Sequence, residues 1–258
     1  MRPRKFQRVS LVSIVLPTYN EAGNIIDLIR EIDDALKRPK EIIVVDDNSP
    51  DGTSLLVRRY KKEVKKPYVR LETRYTNRGL TNSIRHGINC SKGNVVAWMD
   101  CDFSMPPTLI PRLVAEIEKG YDVAIGSRYV EGGFPRPSKK GAGESTLSTW
   151  ASIVLNKLVQ LLLGNWIHDY TSGFVAARRS VLSKIPLRGD YGEYCIDFLY
   201  RTHAHGLSIA EVPYVCLPRR HGESKTAQTF SQLLWRSKNY LKVTLSLFKD
   251  KHNLHKVP

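Results

Sequence analysis

An α/β fold, with a mainly parallel sheet flanked by helices, is what this sequence predicts, and three observations predict it. Short, continuously apolar runs alternate with helix-length segments through the first half of the chain. Those runs end in polar, acid-bearing turns, the pattern expected at the upper end of a strand buried on both faces. The chain has 258 residues, 41% apolar and 25% charged, which is an ordinary globular composition with length for one large domain. Helix-sized connections between buried strands imply right-handed βαβ crossovers.

Leu11 to Leu16 is a β-rich run stopped by Pro17. From Glu21 to Leu36, the residues Ile25, Leu28, Ile29, Ile32 and Leu36 share one helical face. Ile42 to Val45 is a second buried strand, and the cycle continues with a helix near Thr53 to Lys62 and a strand at Val69 to Thr73. A helix at Leu80 to Cys90, a strand at Val95 to Met99, a helix at Leu109 to Lys119 and a strand at Val123 to Ile125 complete this half. Tyr129 to Gly143, dense in Gly, Pro and Lys, reads as a mobile loop. Beyond it Leu147, Ala151, Val154, Leu158, Leu161 and Leu162 share a helical face. A polar turn, Asp169 to Gly173, leads to Phe174 to Ala177, then to a helix at Tyr194 to His205 and a strand at Leu207 to Val215. The tail places Phe230, Leu233, Leu234, Leu241, Leu245 and Phe248 on one side and Arg236, Lys238 and Lys242 off it, so a basic amphipathic helix is expected. The organisation is a basic extension over 1–10, a catalytic-sized domain over 11–226 and the amphipathic segment over 227–258.

The net charge of +15 favours anionic partners such as phosphorylated substrates or acidic lipid head groups. Nucleic acid is excluded as a partner because no RNP, helix-turn-helix or zinc-finger pattern is present, and acidic clusters would face its phosphates. Cys90, Cys101, Cys195 and Cys216 lie far apart with no CxxC pair, which indicates neither a zinc site nor a disulfide framework and points to a reducing cytosol. The longest apolar run, Ile153 to Leu163, is interrupted by Asn156, Lys157 and Gln160 and is too short to span a bilayer.

Ligands of open parallel sheets bind beyond the carboxyl ends of the strands. Acidic clusters fall there after three strands: Asn20-Glu21, Asp46-Asp47 and Asp100-Cys101-Asp102. Asp51 reads as a helix cap before Thr53. In an extended chain Asp100 and Asp102 point the same way and can meet one hard divalent ion, Mg²⁺ or Mn²⁺, shared with the diphosphate of a substrate. Arg128, placed after a strand, suits an incoming anion gripped by bidentate bonds. Trp98 and Tyr19 can pack or stack on a base, and Asp197 can face a sugar or join an internal network.

Val15 to Glu21, Val44 to Thr53, Asp100 to Asp102 and Gly126 to Tyr129 together resemble the family 2 inverting glycosyltransferases of the GT-A fold. Asp169 to Phe174, Glu211 to Pro213 and Arg219 to Lys225 are similar to the dolichol-phosphate mannose synthase branch. The resemblance implies transfer of a hexose, mannose from GDP-mannose, to a polyprenyl phosphate such as dolichyl phosphate. It implies that Pro17, Tyr19, Glu21, Val45 and Asp47, with Asp100, Cys101 and Asp102, hold the nucleotide sugar. Asp100 and Asp102 become the metal motif, Arg128, Ser148 and Arg219 hold the acceptor phosphate, and Lys225 joins Arg128 and Arg219 in catalysis. An alternative keeps the fold but uses a UDP-sugar or sends the sugar to a saccharide or protein hydroxyl, with Asp197 as general base.

The chain departs from the branch at Glu144, where an arginine is usual; Arg136, Lys139 or Lys140 are candidate substitutes. Ser104 stands where Gln or Ser commonly follows the acidic motif. A lipid acceptor implies a cytoplasmic protein, peripheral at the cytoplasmic face of a membrane, docked by the basic tail with Trp235, Tyr240 and Phe248 or by a membrane-anchoring partner subunit.

Overall fold

The computed structural model describes residues 8–135, 146–222 and 230–254. Its centre is a seven-stranded sheet in the order β3-β2-β1-β4-β6-β5-β7. The strands are β1 (Val12–Thr18), β2 (Lys40–Asp46), β3 (Val69–Thr73), β4 (Val95–Trp98), β5 (Val123–Ser127), β6 (Val175–Arg178) and β7 (Ile209–Pro213). All neighbours are parallel except β6, which runs antiparallel between β4 and β5. The sequence expectation of a mainly parallel sheet therefore holds, and Phe174 to Ala177 supplies its reversed strand.

The helices are α1 (Ile25–Ala35), α2 (Thr53–Val64), α3 (Leu80–Cys90), α4 (Ile110–Glu118), α5 (Thr146–Leu163), α6 (Arg179–Lys184), α7 (Tyr194–Ala204) and α8 (Phe230–Leu254). A 3-10 turn over Pro107–Leu109 leads into α4. The period-two geometry of the strands explains the two core layers. Ile14, Leu16, Ile42, Val44 and Ala97 enter one layer with Ile25, Leu28, Ile29 and Ile32 of α1. The residues between them, Val15, Ile43, Val45, Val96 and Trp98, enter the other with Ile84 of α3 and Phe198 of α7. At Gly87 the approach of α3 to the sheet leaves no room for a Cβ, which would overlap Val15.

The C-terminal helix packs on α5 and α7. Thr244 and Leu247 are buried, whereas Leu241, Leu245 and Phe248 are exposed. The face expected from sequence as the apolar side thus points outward over this stretch, and a different set makes the contact. On α5, Trp150, Val154 and Leu161 are likewise exposed. No described helix is long and apolar enough to cross a membrane. Arg136, Lys139, Lys140, Glu144 and Lys225 lie outside the described residues, as do the side chains of Ser148 and Trp235.

Candidate active site

Because β2, β1 and β4 are parallel neighbours, the turns that leave their carboxyl ends meet. They wall a cleft of about 330 Å³. From β1 come Pro17, Thr18, Tyr19 and Glu21, from β2 Asp47, and from β4 Asp100, Cys101 and Asp102. Arg78, Gly79, Leu80 and Ser83 at the head of α3, with Tyr191 and Arg219, close it. Val45 is fully buried in the strand behind Asp47 and is not among the wall residues.

The two acids after β2 divide the work. Asp46 ties its own turn, accepting hydrogen bonds from the Ser49 and Ser54 hydroxyls. Asp47 faces the cleft; its Oδ2 accepts the Gly79 N–H at 2.7 Å and its Oδ1 lies 3.3 Å from Arg74 Nη1. Gly79 has φ of 127°, a conformation that favours glycine, and this presents its N–H to the carboxylate. Asp51 accepts the N–H of Thr53, the first residue of α2, and that of Ala22, so it fastens the two turns together. Glu21, nearly buried, accepts from Asn24 Nδ2 at 2.8 Å, and the same amide donates to the His221 carbonyl at 3.2 Å.

The Asp100-Cys101-Asp102 segment is not extended, as the sequence reading supposed. The strand ends at Trp98, and the Ser104 N–H folds back onto Asp102 Oδ1 at 2.8 Å. Phe103 takes a left-handed φ of 66° in this tight turn. Both carboxylates nevertheless belong to the cleft. The segment carrying Arg219 is laced to the turn: Leu217 N–H donates to the Ser104 carbonyl and Arg220 N–H to that of Asp102. The Arg220 guanidinium lies 3.7 Å from the Phe103 ring centroid. This places Arg219 Nη1 2.7 Å from Asp102 Oδ2.

Arg128 is engaged elsewhere. Its Nε and Nη2 donate to Asp169 Oδ2 and Oδ1, each at 2.8 Å, and Nη2 also reaches Thr171 Oγ1 at 2.8 Å. Asp169 is fully buried, and its N–H is accepted by Glu211, whose other oxygen takes the N–H and ring nitrogen of His168. Burial alone would lower the Arg128 pKa, but the Asp169 charge outweighs it and holds the guanidinium well above its usual value. The sequence blocks at Asp169 and Glu211 are thus one network behind β5. Asp197 is also paired with an arginine, its Oδ2 accepting from Arg201 Nε at 2.9 Å and Nη2 at 2.5 Å. Trp98 is a core residue, edge-on to Phe198 and donating to Tyr194 Oη at 2.9 Å, while Tyr19 remains 41% exposed at the cleft.

Sequence reasoning missed Arg78, Gly79, Ser83 and Tyr191. The signal for the first three was a glycine just ahead of a helix at the end of β3, passed over because that turn carries no acid. Tyr191 has no local signal.

Residues 13–186 match the model of the family described as "Glycosyl transferase family 2". The chain is 36% identical over 222 residues to the polyprenol monophosphomannose synthase of Mycolicibacterium smegmatis, covering 82% of this chain and 79% of that one. It is 33% identical over 216 residues to the dolichol-phosphate mannosyltransferase of Pyrococcus furiosus, covering 83% of this chain and 58% of that protein. Its fold is similar to glucosyl-3-phosphoglycerate synthase from Mycobacterium tuberculosis, crystallised with Mn²⁺, UDP-glucose and phosphoglyceric acid. That likeness has a TM-score of 0.68 and 20% identity, over 93% of this chain and 80% of that one. With a mixed sheet of this order, acidic turns meeting at its carboxyl edge and a family match over most of its length, the chain belongs to glycosyl transferase family 2.

Proposed function

We propose that this chain transfers a hexose, mannose from GDP-mannose, to a polyprenyl phosphate with inversion at the anomeric carbon. The observation that carries the reading is one cleft that gathers Asp47, Asp100 and Asp102 with the cations Arg78 and Arg219. The names of the two relatives, a polyprenol monophosphomannose synthase and a dolichol-phosphate mannosyltransferase, support mannose as the sugar and a polyprenyl phosphate as the acceptor.

Asp100 and Asp102 would hold the divalent ion, Mg²⁺ or Mn²⁺. The donor set fits, because such ions take one or two carboxylates and complete their shell with phosphate oxygens and water. Arg219 and the Ser104 N–H each engage one Asp102 oxygen, and each carboxylate oxygen offers two lone pairs. When bound, the ion supplies positive charge against that growing on the departing nucleoside diphosphate.

The chain's own side chains do the rest. Asp47, fixed by Gly79 and Arg74, offers the nucleoside a rigid acceptor, and Tyr19 offers a ring face. Arg219 stands beside Asp102, from where a short side-chain movement brings it to a diphosphate oxygen, and Arg78 adds a second cation. The acceptor phosphate, with a second pKa of about 6, is already a nucleophile at neutral pH. The site therefore needs positioning and charge stabilisation and no general base. Asp197, the candidate base for a hydroxyl acceptor, is bound by Arg201 and is not a cleft residue, which favours the phosphate acceptor. Arg128 acts by holding the end of β5 against Asp169; an acceptor phosphate there would have to share its fork with that carboxylate. Ser148 and Lys225 keep the acceptor and catalytic roles that the resemblance assigns them.

Residues 11–226 carry this chemistry, and 227–258 present the protein to the lipid. The outward row of Leu241, Leu245 and Phe248, with Trp150, Val154 and Leu161 on the helix packed against α8, supports docking at a membrane surface, which the net positive charge reinforces.

The test is a thermal-shift panel of GDP-, UDP- and dTDP-sugars with and without Mn²⁺, followed by transfer of labelled mannose to a polyprenyl phosphate. Selective stabilisation by GDP-mannose and lipid-extractable label are expected. Stabilisation by a UDP-sugar alone would replace the donor, and label appearing only on a saccharide or protein would replace the acceptor.

A further inference from the structure

At the far edge of the sheet, away from the Asp100–Asp102 turn, three side chains of different chemistry converge. On β3, Val69 and Leu71 face the first core layer, so Arg70 and Glu72 point to the opposite face, where α3 lies. On α3, His86 and Cys90 are four residues apart and share one face. Cys90 Sγ is 3.5 Å from His86 Nε2, and His86 Nε2 is 3.8 Å from Glu72 Oε2. One ligand atom from each of the three lies within 4.8 Å of the others.

We propose that Glu72, His86 and Cys90 form a three-ligand site for a zinc-class divalent ion that fastens the edge strand β3 to α3, independently of the transferase reading. A tetrahedral zinc ion, with bonds of about 2.3 Å to sulfur and about 2.0–2.1 Å to nitrogen and oxygen, sets sulfur and nitrogen about 3.6 Å apart and nitrogen and oxygen about 3.4 Å apart. The observed 3.5 and 3.8 Å fall within about 0.4 Å of that frame before any ion draws the ligands in. Thiolate and imidazole select zinc over the hard ions suited to Asp100 and Asp102.

Two features around the triad favour occupancy. Arg70 Nη2 holds Glu72 Oε1 at 3.0 Å and leaves Oε2, the oxygen near His86, turned to the ion, as an outer-shell partner does. Arg70 also pairs with Glu41 at 3.2 Å, so Glu41 and Glu72 against Arg70 leave one net negative charge. A divalent ion adds two positive charges and the thiolate it creates takes one away, which brings the cluster to neutrality. Binding forms the bonds to sulfur, nitrogen and oxygen, releases the Cys90 thiol proton to solvent and leaves the fourth position to water. The ion has a route in, since the His86 and Glu72 side chains are 40% and 29% exposed.

The metal-stripped full chain is titrated with Co²⁺ as the spectroscopic probe. One equivalent should produce tetrahedral ligand-field bands and a thiolate-to-cobalt charge-transfer band, and Zn²⁺ should displace both and raise the melting temperature. Cys90→Ser should abolish the charge-transfer band, His86→Ala should weaken binding by about tenfold or more, and Cys101→Ser should leave the signal intact. His86 is partly exposed, so its variant tests the site even if Cys90→Ser does not fold. Absence of the charge-transfer band in the parent protein, its survival in Cys90→Ser, its loss in Cys101→Ser or undiminished binding by His86→Ala would each overturn the assignment.

Discussion

Two arginine–carboxylate pairs flank the carboxyl edge of the sheet, and they differ in kind. Beyond β4, Arg219 Nη1 lies 2.7 Å from Asp102 Oδ2 at the wall of an open cleft. Beyond β5, Arg128 grips the fully buried Asp169 with both arms of its fork, and its backbone N–H and Thr171 add further bonds. Exposure does not distinguish them, since the Arg219 and Asp102 side chains are 19% and 2% exposed and those of Arg128 and Asp169 17% and 0%; what differs is that the first pair lines the cleft, where a ligand can meet Arg219. The second is closed, and removing either member strands a charge in the interior. Residue type alone does not tell the two arginines apart; the grip on both oxygens of Asp169 and the place of Arg219 on the cleft wall do.

The largest effect should come from breaking the closed pair. Asp169→Ala should cost about 3–5 kcal/mol of folding stability by urea denaturation, as an uncompensated buried charge does. A loss under about 1 kcal/mol would erase the contrast. Next in size, Asp102→Ala should abolish the Mn²⁺-dependent stabilisation by nucleotide sugar and lower kcat by about 10²–10³-fold, the scale of one lost preorganised electrostatic contact. Arg219→Ala should cost about 1–3 kcal/mol of stability, since the buried Asp102 loses its cation but keeps the Ser104 N–H, while KM for the sugar donor rises.

Acid sharpens the comparison at a third pair, Arg70 with Glu41. Burial would raise the Glu41 carboxyl, but hydrogen bonds from the Ser13 hydroxyl, the Lys92 N–H and Arg70 outweigh it and hold it below the ordinary glutamate value. A carboxyl depressed on folding stabilises above its unfolded pKa, about 4.3, and that stability is lost as pH falls through the lower folded value. Stability should therefore decline below about pH 4.3, and Glu41→Gln should flatten that decline. The smallest effect on folding belongs to the outward row: Phe248→Asp should change stability by no more than about 0.5 kcal/mol. It should nonetheless reduce cosedimentation with anionic vesicles, and equal binding would remove the docking role from α8.

Much of the architecture was legible. The helix expected over Leu80 to Cys90 and the strand over Val69 to Thr73 coincide with α3 and β3, because burial on one helical stripe or one strand face is written locally in the order of residues. The reversed direction of β6 was not legible, since four residues, Val175–Arg178, carry no mark of which neighbours they join. In the site, the acids after β1, β2 and β4 stood out because charge at the end of an apolar run is conspicuous. Arg78 and Tyr191 did not, and the engagement of Arg128 was hidden because its partner lies 41 residues away.

The sequence by itself determined the alternation of strands and helices and the edge at which acidic turns gather, both consequences of periodic burial and of where strands end. Tertiary structure alone decided which carboxylates face the cleft, which arginine grips both oxygens of a buried acid, and that Glu72 meets His86 and Cys90. Burial is set by spacing along the chain, whereas partnership between charges depends on distances of a few ångströms between segments that only the folded chain brings together.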